Sequence, residues 1–141
     1  MGLKRFVLIW LINAFLVNIL CAAVSHLQIL CEEGLSYVNP VPVQITTPVN
    51  ITTPGVQVNP SDIVVVSIIR AGDSMLDTFM TIAPEASVGK ILIQRNEETR
   101  EPILFYSKLP PMQGKSIVLV DPMLATGGSA KCAVKVLLEH G

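Results

Sequence analysis

Charge is scarce in this chain. Only 15% of its 141 residues are Asp, Glu, Lys or Arg, and they leave a formal net charge of −1. A protein that grips nucleic acid by its phosphates needs a dense basic surface, so this balance excludes that class of partner. Cysteine is scarcer still: Cys21, Cys31 and Cys132 stand far apart. A zinc site wants ligands spaced by about two to four residues, and none are, so reduced and partly buried thiols are expected. The two histidines, His26 and His140, are equally isolated and read as surface or capping residues. The length suits one domain with a real core.

Where charge is missing altogether, a hydrophobic run takes its place. Lys4 and Arg5 precede an uncharged stretch from Phe6 to Ser25. It is long enough to cross a bilayer, and the basic flank suits a signal anchor. Cys21-Ala22-Ala23 also offers the small residues of a signal-peptidase site, whereas Asn13 and Asn18 would be costly in lipid. A buried helix, or a stretch foreign to the working domain, is the competing reading. Residues 1–25 are therefore set apart as a hydrophobic N-terminal segment, with membrane association through 6–24 left open.

Beyond it, Val24, Leu27, Leu30, Cys31 and Leu35 follow helical spacing, predicting a helix over 22–35 with Gly34 near its stop. Asn39 to Ser61 has no charge and five prolines, and Ile45-Thr46-Thr47-Pro48 recurs at Ile51-Thr52-Thr53-Pro54. Proline forbids a helix there and leaves extended edge strands or a loop. A regular alternation then begins. Ile63–Ile69, Lys90–Gln94 and Ser116–Val120 read as buried strands, with Pro102–Ser107 as one arm of a hairpin. Ser74–Ala83 and Ser129–His140 read as helices, the second with Ala130, Ala133, Val134 and Leu137 on one face.

The fold class expected is α/β, a mainly parallel sheet flanked by helices. Ligands of such sheets gather at the C-terminal ends of the strands. Three strand ends carry polar punctuation: Arg70-Ala71-Gly72, Arg95-Asn96-Glu97 and Asp121 onward. A helix ending at Gly141 leaves no residues for the parallel strand that should follow. An open sheet edge and a domain incomplete at its C-terminus are expected.

The segment richest in chemistry is Ile117-Val118-Leu119-Val120-Asp121-Pro122-Met123-Leu124-Ala125-Thr126-Gly127-Gly128-Ser129. A buried strand delivers a carboxylate, and a loop with two glycines then opens a helix. Glycine lets backbone approach an anion closely. The free N–H groups of a helix start, with its dipole behind them, favour phosphate. No Gly-Lys-Ser/Thr triplet follows, so this is not the nucleoside-triphosphate loop. Nor are three glycines spaced as in the dinucleotide fingerprint. A carboxylate at the strand end can hold two ribose hydroxyls while the loop holds a 5′-phosphate; the plain alternative is a tight turn with a Gly-Gly hinge.

Asp121 through Ala130 resembles the phosphoribosyl-pyrophosphate motif of the uracil phosphoribosyltransferases. Other family signatures stand in order: Ser67-Ile68-Ile69-Arg70-Ala71-Gly72 with Ser74-Met75, then Gly89 to Thr99, then Tyr106-Ser107-Lys108-Leu109-Pro110. The likeness runs from about Leu27 to Gly141, marking 27–141 as a partial phosphoribosyltransferase domain closer to the eukaryotic branch. It implies transfer of uracil to the ribose of phosphoribosyl pyrophosphate, giving UMP and pyrophosphate in pyrimidine salvage. It further implies that Ala125, Thr126, Gly127, Gly128 and Ser129, after Pro122, Met123 and Leu124, cradle the 5′-phosphate. Asp121 would bind the ribose and favour the developing positive charge, while Arg70 and Arg95 would hold pyrophosphate. Mg2+ would arrive with that pyrophosphate, and a homodimer, a GTP effector and a cytoplasmic setting are also implied. The competing reading is a non-catalytic phosphoribosyl-pyrophosphate or nucleotide-binding module. The family's uracil-recognising segment lies well beyond the glycine loop and is not in this sequence, so weak or no transfer by the chain as given is expected.

Overall fold

The computed structural model of the chain describes residues 6–10, 20–38 and 40–140. In order they form β1 (Phe6–Trp10), α1 (Leu20–Ser36), β2 (Val41–Thr46), β3 (Thr52–Gln57), a 3-10 turn at Pro60–Asp62, β4 (Ile63–Ile69), α2 (Asp73–Ile82), β5 (Ser87–Arg95), β6 (Pro102–Lys108), β7 (Ser116–Asp121) and α3 (Gly128–His140). Five strands make one sheet in the order β1-β7-β4-β5-β6. The first four are parallel and β6 runs antiparallel to β5. The expected α/β architecture is the one observed.

Strand β4 explains the layering. Successive side chains of a strand point to opposite faces, and those of β4 find an apolar layer on each. Ile63 and Val65 join Val118 and Val120 of β7 beneath α1 and α2, where Cys31, Met75, Leu76 and Phe79 close over them. Val64, Val66 and Ile68 face the other way with Ile91, Ile93, Ile117 and Leu119, and Ala133 and Leu137 of α3 cover those. Burying a side chain of this size contributes roughly 1.5–3 kcal/mol. Two-sided burial is why the strand reads as an unbroken apolar run.

This layering also locates a crevice. β4 leads into α2 on one face, whereas its neighbour β7 leads into α3 on the other. The connections diverge where these two strands lie side by side, which is the switch point at which parallel sheets bind ligands.

Two differences from the sequence reading stand out. The hydrophobic run at 6–25 is not one element: 6–10 are a strand and a helix begins at Leu20, while 11–19 lie outside the described residues. No helix among the described residues is long and apolar enough to cross a membrane. The sheet edge expected to stand open beyond β7 is occupied by β1, paired in parallel from Phe6↔Ile117 to Trp10↔Asp121. Backbone N–H and C=O groups of β7 that would otherwise lack partners explain the pairing.

The proline-rich segment is an antiparallel hairpin, β2 with β3, its repeat divided between the two arms. Pro42 and Pro54 are tolerated because both strands of an isolated pair are edges. Its turn is tied by the Thr47 hydroxyl, which donates to the Ile51 carbonyl at 3.0 Å and accepts from the Ile51 amide at 3.2 Å.

Candidate functional site

The loop after β7 is built by its own backbone. Asp121 ends the strand, and its Oδ1 accepts a hydrogen bond from the Met123 amide at 3.1 Å. The carboxylate is thereby turned onto the loop that follows it. Ala125 (φ 48°) and Gly127 (φ 76°) both take left-handed conformations, and the Gly127 amide closes the turn onto the Leu124 carbonyl at 2.9 Å. Left-handed backbone favours glycine, so the Gly127 of the motif answers a geometric need. Helix α3 then starts at Gly128 with no acidic residue in its first turn. The first N–H groups of a helix lack ladder partners, and here no acidic side chain of the first turn stands near them. Burial pushes the Asp121 carboxyl above its ordinary range, opposed by the Met123 amide.

Across the crevice, β4 ends at Ile69 and the chain turns through Arg70-Ala71-Gly72 into α2. The Ile69–Arg70 peptide is cis. The turn is closed by Gly72 N–H to the Ile68 carbonyl at 2.9 Å and by Asp73 N–H to the Arg70 carbonyl at 3.2 Å. Gly72 is wedged in it, with the Ile68 carbonyl and the Ser67 hydroxyl both crowding its α-carbon.

Beneath the turn lies a polar cluster. Ser67, fully buried, donates to Asp73 Oδ1 at 2.7 Å, and Lys90 Nζ donates to Asp73 Oδ2 at 3.0 Å. The Ser67 hydrogen bond holds the Asp73 carboxyl below its ordinary range; desolvation pushes back, and Lys90 lowers it again.

Arg95 closes β5. Since Ile69 pairs with Leu92, it stands three residues further along, roughly 10 Å beyond the end of β4 at a strand's rise per residue. There it pairs with Pro102 of β6, next to a turn ordered by Asn96, whose Oδ1 accepts from the amides of Glu98 (2.8 Å) and Thr99 (3.0 Å). Arg70 and Arg95 are both exposed. Among the described residues the ion pairs are Lys90–Asp73 and Lys135–Glu139, so neither arginine is held by an acid, including Glu97 and Glu98.

The structure thus sets the strand ends bearing Arg70 and Asp121 side by side, with Arg95 on the next strand and further out. Pro122 and Ser129 are partly buried, and Met123, Leu124, Ala125 and Thr126 are exposed along the loop between them. An open groove of about 550 Å3 meets Leu124–Gly127 from the α3 side, lined also by Val134 and Leu138; Asp121 and the arginines are not part of it. Sequence reasoning passed over Asp73 and Lys90. The signal was Ser67, a hydroxyl in the middle of an otherwise apolar buried strand, because such a group requires a partner.

Comparison with known proteins adds to this geometry. A family model described as uracil phosphoribosyltransferase matches residues 20–141. The chain is 42% identical over 116 residues to uracil phosphoribosyltransferase 1 of Schizosaccharomyces pombe, covering 82% of this chain and 52% of that protein. It is 46% identical over 116 residues to the uracil phosphoribosyltransferase of Dictyostelium discoideum, covering 82% and 53%. A solved structure of a protein from Aquifex aeolicus superposes with a TM-score of 0.69 at 38% identity, over 81% of this chain and 54% of that one. The chain spans about half the length of these curated relatives.

Proposed function

Because this chain belongs to the uracil phosphoribosyltransferase family, we propose that residues 27–141 form the part of such an enzyme that binds phosphoribosyl pyrophosphate. The whole protein would transfer the phosphoribosyl group to uracil, giving UMP and pyrophosphate. The observation that carries this is Asp121: a carboxylate at the exit of β7, turned onto the Met123 amide at the head of a glycine turn and beside the switch point.

In this reading the loop from Ala125 to Ser129 holds the 5′-phosphate, following Pro122, Met123 and Leu124, through the Thr126 and Ser129 hydroxyls and its amides other than that of Gly127, which closes the turn. Asp121 accepts the ribose hydroxyls. As the bond from C1 to pyrophosphate breaks, positive charge grows on the ribose ring, and the nearby carboxylate favours it. Such positioning and charge stabilisation supply most of the rate when no protein nucleophile takes part. Arg70 and Arg95 meet the departing pyrophosphate; their exposure without acidic partners leaves both guanidiniums available for bidentate contacts.

Among the described residues no group of three His, Cys, Asp or Glu side chains could hold a metal. By the family likeness, magnesium would arrive with the pyrophosphate, whose charge it neutralises. A homodimer and a GTP effector belong to the same reading and rest on the family alone. Phosphoribosyl pyrophosphate is made inside cells, so the proposed reaction belongs in the cytoplasm.

Calorimetry of the chain with ribose 5-phosphate and with magnesium phosphoribosyl pyrophosphate, beside a uracil turnover assay, tests the proposal. Binding of both ligands, each weakened in Asp121→Asn, is expected. Absence of binding to either ligand would reject the reading.

A further inference from the structure

We propose that Asp73 is a positioning residue for pyrophosphate: by gripping Ser67 and Lys90 together it fixes the turn that presents Arg70. The inference rests on the substrate reading above and adds to it a residue with no direct contact to ligand.

Three elements converge on one carboxylate. Ser67 of β4 and Lys90 of β5 are register partners across the sheet, and Asp73 is the first residue of α2. Each carboxylate oxygen takes one of them: Oδ1 the hydroxyl at 2.7 Å, Oδ2 the ammonium at 3.0 Å. The Ser67 hydroxyl is fully buried, and a hydroxyl out of reach of water keeps such a partner. Asp73 is therefore anchored to the floor of the sheet.

That anchor reaches Arg70 in one step, because the Asp73 amide donates to the Arg70 carbonyl at 3.2 Å. On the inner side Gly72 packs so closely that an added Cβ would come within 2.8 Å of the Ile68 carbonyl and the Ser67 hydroxyl. The Arg70 side chain itself is exposed and makes no ion pair with the described residues. Its placement is inherited from its backbone, and the backbone from Asp73. An arginine held in advance loses less freedom when it meets an anion, which is how preorganisation raises affinity.

The test uses the full chain as Asp73→Asn, Lys90→Gln and the double variant. The first readout is amide hydrogen exchange over residues 70–74, which needs no ligand. Exchange at Gly72, Asp73 and Ser74 is expected to quicken in Asp73→Asn, with the Gly127 amide unchanged. The second is calorimetry with magnesium phosphoribosyl pyrophosphate and with ribose 5-phosphate. Affinity for the first should fall roughly ten-fold, the scale of one charge-assisted hydrogen bond, while ribose 5-phosphate binds as before. The double variant should be no weaker than the worse single variant, as coupled residues require.

Unchanged exchange would overturn the anchor, and equal losses for both ligands would reduce Asp73 to a general structural role. A larger loss in Lys90→Gln than in Asp73→Asn would make Lys90 itself the ligand contact and overturn the positioning role. A wild-type chain that binds neither ligand would reject the substrate reading and the ligand half of this inference together, while exchange would still decide the anchor.

Discussion

The α-carbon of Gly72 lies against the Val120 carbonyl so closely that a methyl group built on it would come to 2.5 Å from that oxygen. Gly72 follows β4 and Val120 immediately precedes Asp121, so this contact packs the arginine turn against the strand that carries the carboxylate. The two halves of the proposed site are in close contact at this point.

Gly72→Ala should therefore cost about 1–3 kcal/mol, the usual range for forcing atoms into a packed site. Its φ of −62° suits any residue, so the penalty is steric. Gly89→Ala is the control. The atoms its Cβ would meet most closely are side-chain ends, Leu109 Cδ2 at 2.9 Å and Val66 Cγ2 at 3.1 Å, which can give way. Urea unfolding of the two variants should show the larger loss at Gly72.

Asp121→Asn should separate stability from binding. Burial raises the Asp121 pKa in the fold above its unfolded value, so the charged form is disfavoured there. That penalty is complete above the folded pKa and vanishes as pH falls below the unfolded one. Asp121→Asn should thus melt higher than wild type near neutral pH, and the gap should close on acidification. Asp73 has the opposite sign. Its pKa is lowered, so its contribution is present above the unfolded value and lost as pH falls through the folded one; Asp73→Asn should melt lower than wild type, again only away from acid. Thermal melts between pH 3 and 8, on the order of the carboxylate range and above, check both.

Arg70→Gln and Arg95→Gln should each weaken phosphoribosyl pyrophosphate binding by about 1.5–3 kcal/mol, roughly ten- to a hundred-fold, and spare ribose 5-phosphate. Both side chains are exposed and outside any ion pair with the described residues, so melting temperatures should not move. Loss of ribose 5-phosphate binding to the same extent would contradict their assignment to pyrophosphate.

Cys31 should resist thiol reagents until the chain unfolds. Burial, and next the charge of Glu32, raise its pKa to about 11, leaving little thiolate at neutral pH. Cys132 is only partly buried and should be labelled before Cys31. Peptide mass spectrometry after timed alkylation at pH near 8, about half a unit below the reference cysteine pKa, distinguishes the two.

Much of this was legible in the residues, for physical reasons that can be named. The run Ile63–Ile69 announced a strand buried on both faces because nothing in it needed water except Ser67. Asp121 and the paired glycines announced a strand that ends in a carboxylate and a tight turn that opens a helix, because glycine accepts the left-handed backbone that Gly127 adopts. Phe6–Trp10 was not legible as a strand: an unbroken apolar run carries no period to separate strand from helix, and its partner is more than a hundred residues away. Asp73 stayed hidden for a related reason. Its partners lie six and seventeen residues off, and only the fold brings them to one carboxylate.

The pairing of β1 with β7 reaches beyond the topology. A strand with a bare flank is an invitation to foreign chains, and along β7 the molecule has answered with its own Phe6–Trp10. Clumping onto β7 would require prising off Phe6–Trp10 beforehand, so among the described residues the borders left for strangers are β1 itself, β6 and the outlying proline hairpin.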